Sequence, residues 1–215
     1  MKDIFIYGTG GLAMEVAWLI EDINKEHHCW NLRGYIDDQN PHKWGQYLYN
    51  YQVLGGNKFL REAGENCALI IAIGNPRARR QVVEDELHDL EIHYPILIHP
   101  SVLMSPSVKI GEGTVVAARN TITVEVKLGR HVFLNLSCTI GHGAVIGDYC
   151  VLHPGVHVSG DVTVGRCTMI GTGAQLIQGT QVGAKTIIGA WAVVIRHVPD
   201  CVVAVGNPTR IVNSK

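Results

Sequence analysis

The chain has 215 residues, of which 17% are charged, 47% hydrophobic and only 7% aromatic, with 24 glycines and a formal net charge of −1. Aliphatic mass on that scale excludes intrinsic disorder, the glycine content excludes a coiled coil, and near-neutral charge gives no reason to expect nucleic acid or an anionic membrane as a partner. No apolar run approaches the ~20 residues that span a bilayer.

In chain order, Met1-Lys2-Asp3-Ile4-Phe5 runs straight into a strand, Lys2–Tyr7, with no signal-peptide core before it. Gly8-Thr9-Gly10-Gly11 predicts a tight turn and Leu12–Asn24 an amphipathic helix. A second strand, Leu32–Ile36, ends on Asp37-Asp38, and Pro41–Asn50 reads as a polar aromatic loop. A third strand, Ala68–Ile73, enters Gly74-Asn75-Pro76 and a helical segment, Arg77–Leu87. This βαβαβ order predicts a Rossmann-like α/β half-domain over residues 1–97. Gly8-Thr9-Gly10-Gly11-Leu12-Ala13 fits G-x-G-x-x-G/A between strand and helix, where backbone N–H groups at a helix N-terminus accept phosphate oxygens. Gly8, Gly10 and Gly11 are therefore candidate contacts to a nucleotide or nucleotide-linked sugar, although the loop also fits a turn without ligand. Asp37 and Asp38 stand where a ribose or base would donate, and Asn75 completes the crevice at the strand carboxyl ends. A dinucleotide dehydrogenase is disfavoured, because such a fold needs two halves and only one is present.

From Ile98 the pattern changes. Every sixth residue through Val194 is aliphatic, seventeen in succession, and eight are followed directly by glycine: Gly111, Gly129, Gly141, Gly147, Gly165, Gly171, Gly183 and Gly189. Four residues after each aliphatic comes a small or β-branched residue, with Asn120 the polar exception. A period of six with two inward residues predicts short strands joined by tight corners, three hexads to an eighteen-residue coil, stacked about 4.8 Å apart. The glycines are expected where the backbone turns with little room for a Cβ. Residues 98–199 form this repeat domain and 200–215 a capping segment, as an open stack requires.

Six cysteines (Cys29, Cys67, Cys138, Cys150, Cys167, Cys201) form no C-x-x-C pair and no metal spacing, so free thiols in a cytoplasmic protein are expected. Zinc ligands on neighbouring coils would be about eighteen residues apart, as the coil length dictates. His142 is flanked at that offset by Val124 and Gly160, His153 by Asn135 and Gly171, and His157 by Thr139 and Gln175. No metal site is predicted. His142 follows Ile140-Gly141 at a corner where side chains project outward, a place that suits either a solvated or a catalytic imidazole.

The hexads resemble those of the hexapeptide-repeat acyltransferases, whose coils form a left-handed parallel β-helix. Asn135-x6-His142, then Ile146-Gly147-Asp148 and Gly155-x4-Gly160, resembles the NeuD/PglD family of sugar O- and N-acyltransferases. So do the G-x-G-G start, Tyr35-Ile36-Asp37-Asp38, Ala72-Ile73-Gly74-Asn75, Ile98-His99-Pro100 and the closing Gly206-Asn207-Pro208-Thr209-Arg210. The resemblance implies acetyl-CoA as acyl donor and, as acceptor, the amine of a nucleotide-linked amino sugar from a surface-polysaccharide pathway. O-acetylation of a sialic-acid-like sugar and a non-catalytic nucleotide-sugar-binding role are the alternatives, and a zinc anhydrase comes last. It further implies a homotrimer with CoA grooves between prisms, His142 as general base, Asn135 near the acceptor sugar, and Gly160, Thr172 and Ala190 at corners matching the CoA contacts. Three positions depart from the family pattern. Gly143 stands where many relatives carry a carboxylate directly after the histidine, Val151 where many carry a histidine, and Leu12 where relatives often carry a histidine near the sugar nucleotide. His153 and His157 stand at nearby corners, either as candidate substitutes or as solvated corner residues.

Overall fold

The computed structural model describes residues 1–63 and 68–214, so Cys67 lies outside the described residues. The chain forms two compact units, Met1–Gly74 with Ala78–Pro100, and Asn75–Arg77 with Ser101–Lys215.

In the first unit, β1 (Lys2–Tyr7) lies between β2 (Trp30–Ile36) and β5 (Ala68–Ile71), parallel to both. Four consecutive buried residues in β1 (Ile4–Tyr7) fit a strand covered on both faces. Helix α1 (Gly11–Glu26) buries Ala13, Val16, Ala17, Leu19, Ile20 and Ile23, a stripe at helical spacing. A second cluster joins Phe5, Tyr7, Ile36, Leu69 and Ile71 to Leu60, Val82 and Leu87. Two further strands, β3 (Tyr47–Leu48) and β4 (Tyr51–Gly55), complete the order β3-β4-β2-β1-β5 and correct the expected loop. After a 3₁₀ turn at Pro41–Lys43, β3 and β4 form an antiparallel hairpin, and β4 runs parallel to β2. Helix α2 (Asn57–Ala63) follows. The expected helix over Arg77–Leu87 is α3 (Pro76–Gln81), continuing into a π turn at Val82–Glu86.

The second unit is a left-handed parallel β-helix, the exception to the right-handed rule for parallel crossovers. Two-residue strands recur every six residues from Leu103–Met104 to Val193–Val194. Those from Leu103–Met104 to Gln175–Leu176 each pair with the strand eighteen residues on, as Thr121 with Thr139 and Ile122 with Ile140. The hexad aliphatics from Val116 to Val194 are buried inside three sheets. Val202–Val205 extends one sheet in parallel beside Ile187–Ile188, then turns back through Gly206–Thr209 to pair antiparallel with Arg210–Ser214.

The corners bear out the lack of room beside the hexad glycines but give the turning role to other residues. Every sixth residue from Gly113 to Trp191, fourteen in all, has φ between +51° and +72°, the left-handed value at the third position of a type II turn. Only five of these are glycine; Arg119, Glu125, His131, Ser137, Tyr149, Asp161, Cys167, Lys185 and Trp191 hold the same conformation. The eight glycines that follow the aliphatics do not turn the chain. They make room for the next coil: a Cβ on Gly141 would fall 2.6 Å from the Gly160 nitrogen, and one on Gly147 2.7 Å from the Arg166 nitrogen.

The inward polar residues obey a rule of their own. Thr114 donates to the Gly129 carbonyl and accepts from the Val132 N–H. Thr168 repeats this with Gly183 and Thr186. Asn120 donates to the Ala117 and Asn135 carbonyls and accepts from the Cys138 N–H. Each buried side chain thus binds backbone fifteen and eighteen residues on, joining coil to coil.

Candidate functional site

The sheet built from Thr139–Ile140 and its neighbours one coil above and below has a corner along each edge. One edge carries Asn135 and, on higher coils, Thr172 and Ala190; the other carries His142 and, one coil on, Gly160. The sequence-derived solenoid residues therefore flank a single face. Leu136, Ser137, Pro154, Gly155, Thr172, Gly173 and Trp191 line a cleft of about 340 Å³ on the first edge, which reaches His157 and Gln175 on the face itself. Trp191 is 72% exposed there. His157 lies in a strand on the face rather than at the expected corner, exposed, with Nδ1 2.8 Å from the Thr139 hydroxyl. His153 is half-buried, and burial holds its imidazole below the ordinary histidine range, which keeps it neutral at neutral pH. Asn135 accepts from the Leu136 N–H through Oδ1.

His142 projects from its corner with an exposed ring. A Cβ on Gly160 would collide with Nε2 and Cε1 of that ring, so the glycine is the shelf on which the imidazole rests. The ring's Nδ1 is 3.8 Å from Asp161 Oδ1. Asp161 was missed by sequence reasoning; its only signal is its place one coil beyond Gly143.

In the first unit the parallel order β2-β1-β5 brings the Gly8–Gly11 turn beside Asp37 and Asp38. Gly8 is required by the chain itself: its φ is +116° and a Cβ would lie 3.0 Å from the Ala72 carbonyl oxygen. Gly10 and Gly11 are not. A Cβ on either meets nothing within 4 Å, no side chain caps α1, and its first turn holds no acid. The N-terminus of α1 faces open space.

Asp37 is committed to its own chain. It is buried, accepting from the Thr9 hydroxyl (2.5 Å), from the Gln39 and Asn40 N–H groups (both 3.0 Å) and from the Asn40 amide. Asp38 is exposed and accepts from the Asn57 N–H through Oδ1. Lys43, also missed from sequence, reaches the loop with Nζ 3.1 Å from the Thr9 carbonyl and 3.2 Å from its hydroxyl, and among the described residues it has no carboxylate partner. Trp44 donates from Nε1 to the Asp37 carbonyl. Asn75 accepts from the Arg77 N–H at the start of α3. His99 is a structural residue, with Nε2 3.2 Å from Asp22 of α1. Burial pushes the Cys138 thiol up to about 11, which makes it inert at neutral pH. Among the described residues no three His, Cys, Asp or Glu side chains gather as a metal site, and no helix is long and apolar enough to cross a membrane.

Comparison with known proteins matches residues 3–85 to the PglD N-terminal domain family. A perosamine N-acetyltransferase mutant from Caulobacter crescentus, solved with CoA and GDP-perosamine, is 30% identical over 100% of this chain and 98% of its own, with a TM-score of 0.89. The acetyltransferase domain of PglB from Neisseria gonorrhoeae is also 30% identical, over 99% of this chain and 100% of that domain, again with a TM-score of 0.89. The serine acetyltransferase of Synechococcus elongatus is 32% identical over 96 residues, 40% of this chain and 39% of its own length. The chain thus spans less than half of that curated relative.

Proposed function

This chain belongs to the NeuD/PglD-type sugar acetyltransferases, and we propose that it moves the acetyl group of acetyl-CoA onto the amine of a nucleotide-linked amino sugar. The observation that carries this reading is His142. It is an exposed imidazole resting on a glycine shelf beside a carboxylate, in a chain similar over its whole length to a perosamine N-acetyltransferase solved with CoA and GDP-perosamine.

His142 acts as the general base. As the amine nitrogen attacks the thioester carbonyl, a C–N bond forms and the imidazole takes the proton the nitrogen loses. Collapse of the tetrahedral adduct breaks the C–S bond, and the departing thiolate receives that proton as free CoA. The cleft beside Trp191, apolar with hydroxyl and amide groups from Thr172 and Gln175, suits the mixed character of a pantetheine arm. We assign Thr172, Ala190 and Gly160 to CoA and Asn135 to the acceptor sugar. In the first unit, the open N-terminus of α1 at Gly10 and Gly11, with the Lys43 ammonium beside it, suits a diphosphate. Asp37 shapes that loop through Thr9, while Asp38 faces the solvent side where a ribose or base would lie. The active species is a homotrimer.

The test is release of free thiol from acetyl-CoA by the purified protein with a panel of nucleotide-linked amino sugars, GDP-perosamine among them, and of free sugars. His142→Ala should lower kcat by about 10²–10⁴-fold. Turnover with hydroxyl acceptors alone would make the enzyme an O-acetyltransferase. Binding of a nucleotide sugar with no thiol released from any acceptor would leave a binding protein.

A further inference from the structure

Residues 107, 125, 143, 161 and 179 stack in one column, because the coil is eighteen residues long and has no insertion. The stack is recorded in backbone bonds: the Gly143 N–H donates to the Val124 carbonyl, the Asp161 N–H to that of His142, and the Gly179 N–H to that of Gly160. The column reads Ser107, Glu125, Gly143, Asp161, Gly179. His142 therefore has glycine as its own next residue and a carboxylate in the equivalent place one coil on. That carboxylate comes within 3.8 Å of Nδ1, and a Cβ built on Gly143 would strike its Oδ1. Asp161 occupies the very space a side chain at 143 would use. Among the described residues it is the one ion-pair partner of His142.

We propose that Asp161 is the positioning residue of His142, supplying from the neighbouring coil the carboxylate that position 143 lacks. From 3.8 Å, an ion-pair contact longer than a hydrogen bond, the carboxylate favours the tautomer with the proton on Nδ1 and leaves Nε2 as the free base. Gly160, next to Asp161 in the chain, leaves room for the ring's Cε1 and Nε2. The proposal rests on His142 being the base.

The test compares His142→Ala, Asp161→Asn, Asp161→Glu, Asp161→Gly, Glu125→Gln and an exchange variant, Asp161→Gly with Gly143→Asp, by steady-state kinetics. Asparagine keeps the size of Asp161 and tolerates its φ of +59°. In the exchange variant glycine takes that φ without strain, while aspartate enters position 143, at +65°, into the space just vacated. Asp161→Asn should lower kcat by about 10-fold, the scale of a misdirected catalytic group, with KM for both substrates within about 2-fold by the same reasoning. Asp161→Glu should recover part of the loss, the exchange variant most of it, and Glu125→Gln should match the parent. The proposal is overturned if Asp161→Asn keeps parental kcat while His142→Ala loses it, or if the exchange variant is no better than Asp161→Gly alone. Parental activity in His142→Ala would instead remove the base assignment itself.

Discussion

Gly11 and Gly160 are both glycines that the backbone conformation does not require, and each makes a separable prediction. At Gly11 a side chain meets open space in the first turn of α1. An aspartate there favours the helix dipole and should raise stability by about 0.3–1 kcal/mol. It also puts an anion where the diphosphate is assigned. Gly11→Asp should therefore raise KM for the nucleotide sugar by about 10-fold or more while KM for acetyl-CoA stays put, with the melting temperature level or higher; an unchanged sugar KM would remove the phosphate assignment. At Gly160 the obstacle is the far end of an exposed ring that can swing away. Gly160→Ala should cost less than about 1 kcal/mol in denaturant unfolding yet lower kcat by about 10-fold or more, because the ring loses its seat. Neither role was written in the local sequence. Gly10-Gly11 sits in a motif that marks a turn with or without ligand. Asp161 and Lys43 make contacts nineteen and thirty-four residues away, and only the completed fold reveals such contacts.

At the level of strands and coils, the repeat was legible because each hexad must send two residues inward, so burial writes its period directly into the sequence. The polar exception has a cause the period cannot express. Asn120 is buried and serves three backbone groups on two coils. Asn120→Val fits the aliphatic pattern better but leaves those groups unpaired, and it should destabilise the protein by about 1–3 kcal/mol in urea unfolding; equal or greater stability would show that the pattern, not the ladder, governs the position. The β3-β4 hairpin was hidden for the opposite reason. Pro41, Gly45, Asn50, Gly55 and Gly56 punctuate a stretch whose strands are two and five residues long, too short to display a period. The lack of room for a Cβ at the post-aliphatic glycines was legible, but not its separation from the left-handed turn position, because glycine signals both a turn and a close approach; here nine bulkier residues hold that turn position.

For the molecule as a whole, exposed Trp191 and Leu136 on the cleft, with Ile177 and Ile195 on the other edge of the same face, leave apolar surface that a monomer would show to water. Light scattering should give a mass near three times 23.5 kDa. Trp191→Glu should yield smaller species and lose activity together with assembly; a monomeric parent at micromolar concentration would rule out the trimer.

The unbroken eighteen-residue register also limits how this protein can change its length. Inserting or deleting one residue inside the coils would turn every inward aliphatic beyond it off its face and misalign every bond of the Asn120 and Thr168 kind. Removing or duplicating a complete coil would leave each remaining layer as it is and move the ends by one step of about 4.8 Å. Heritable variation in the height of the coil stack is therefore discrete, and relatives taller or shorter than this chain should differ from it by whole coils, with smaller changes confined to loops bulging from a corner.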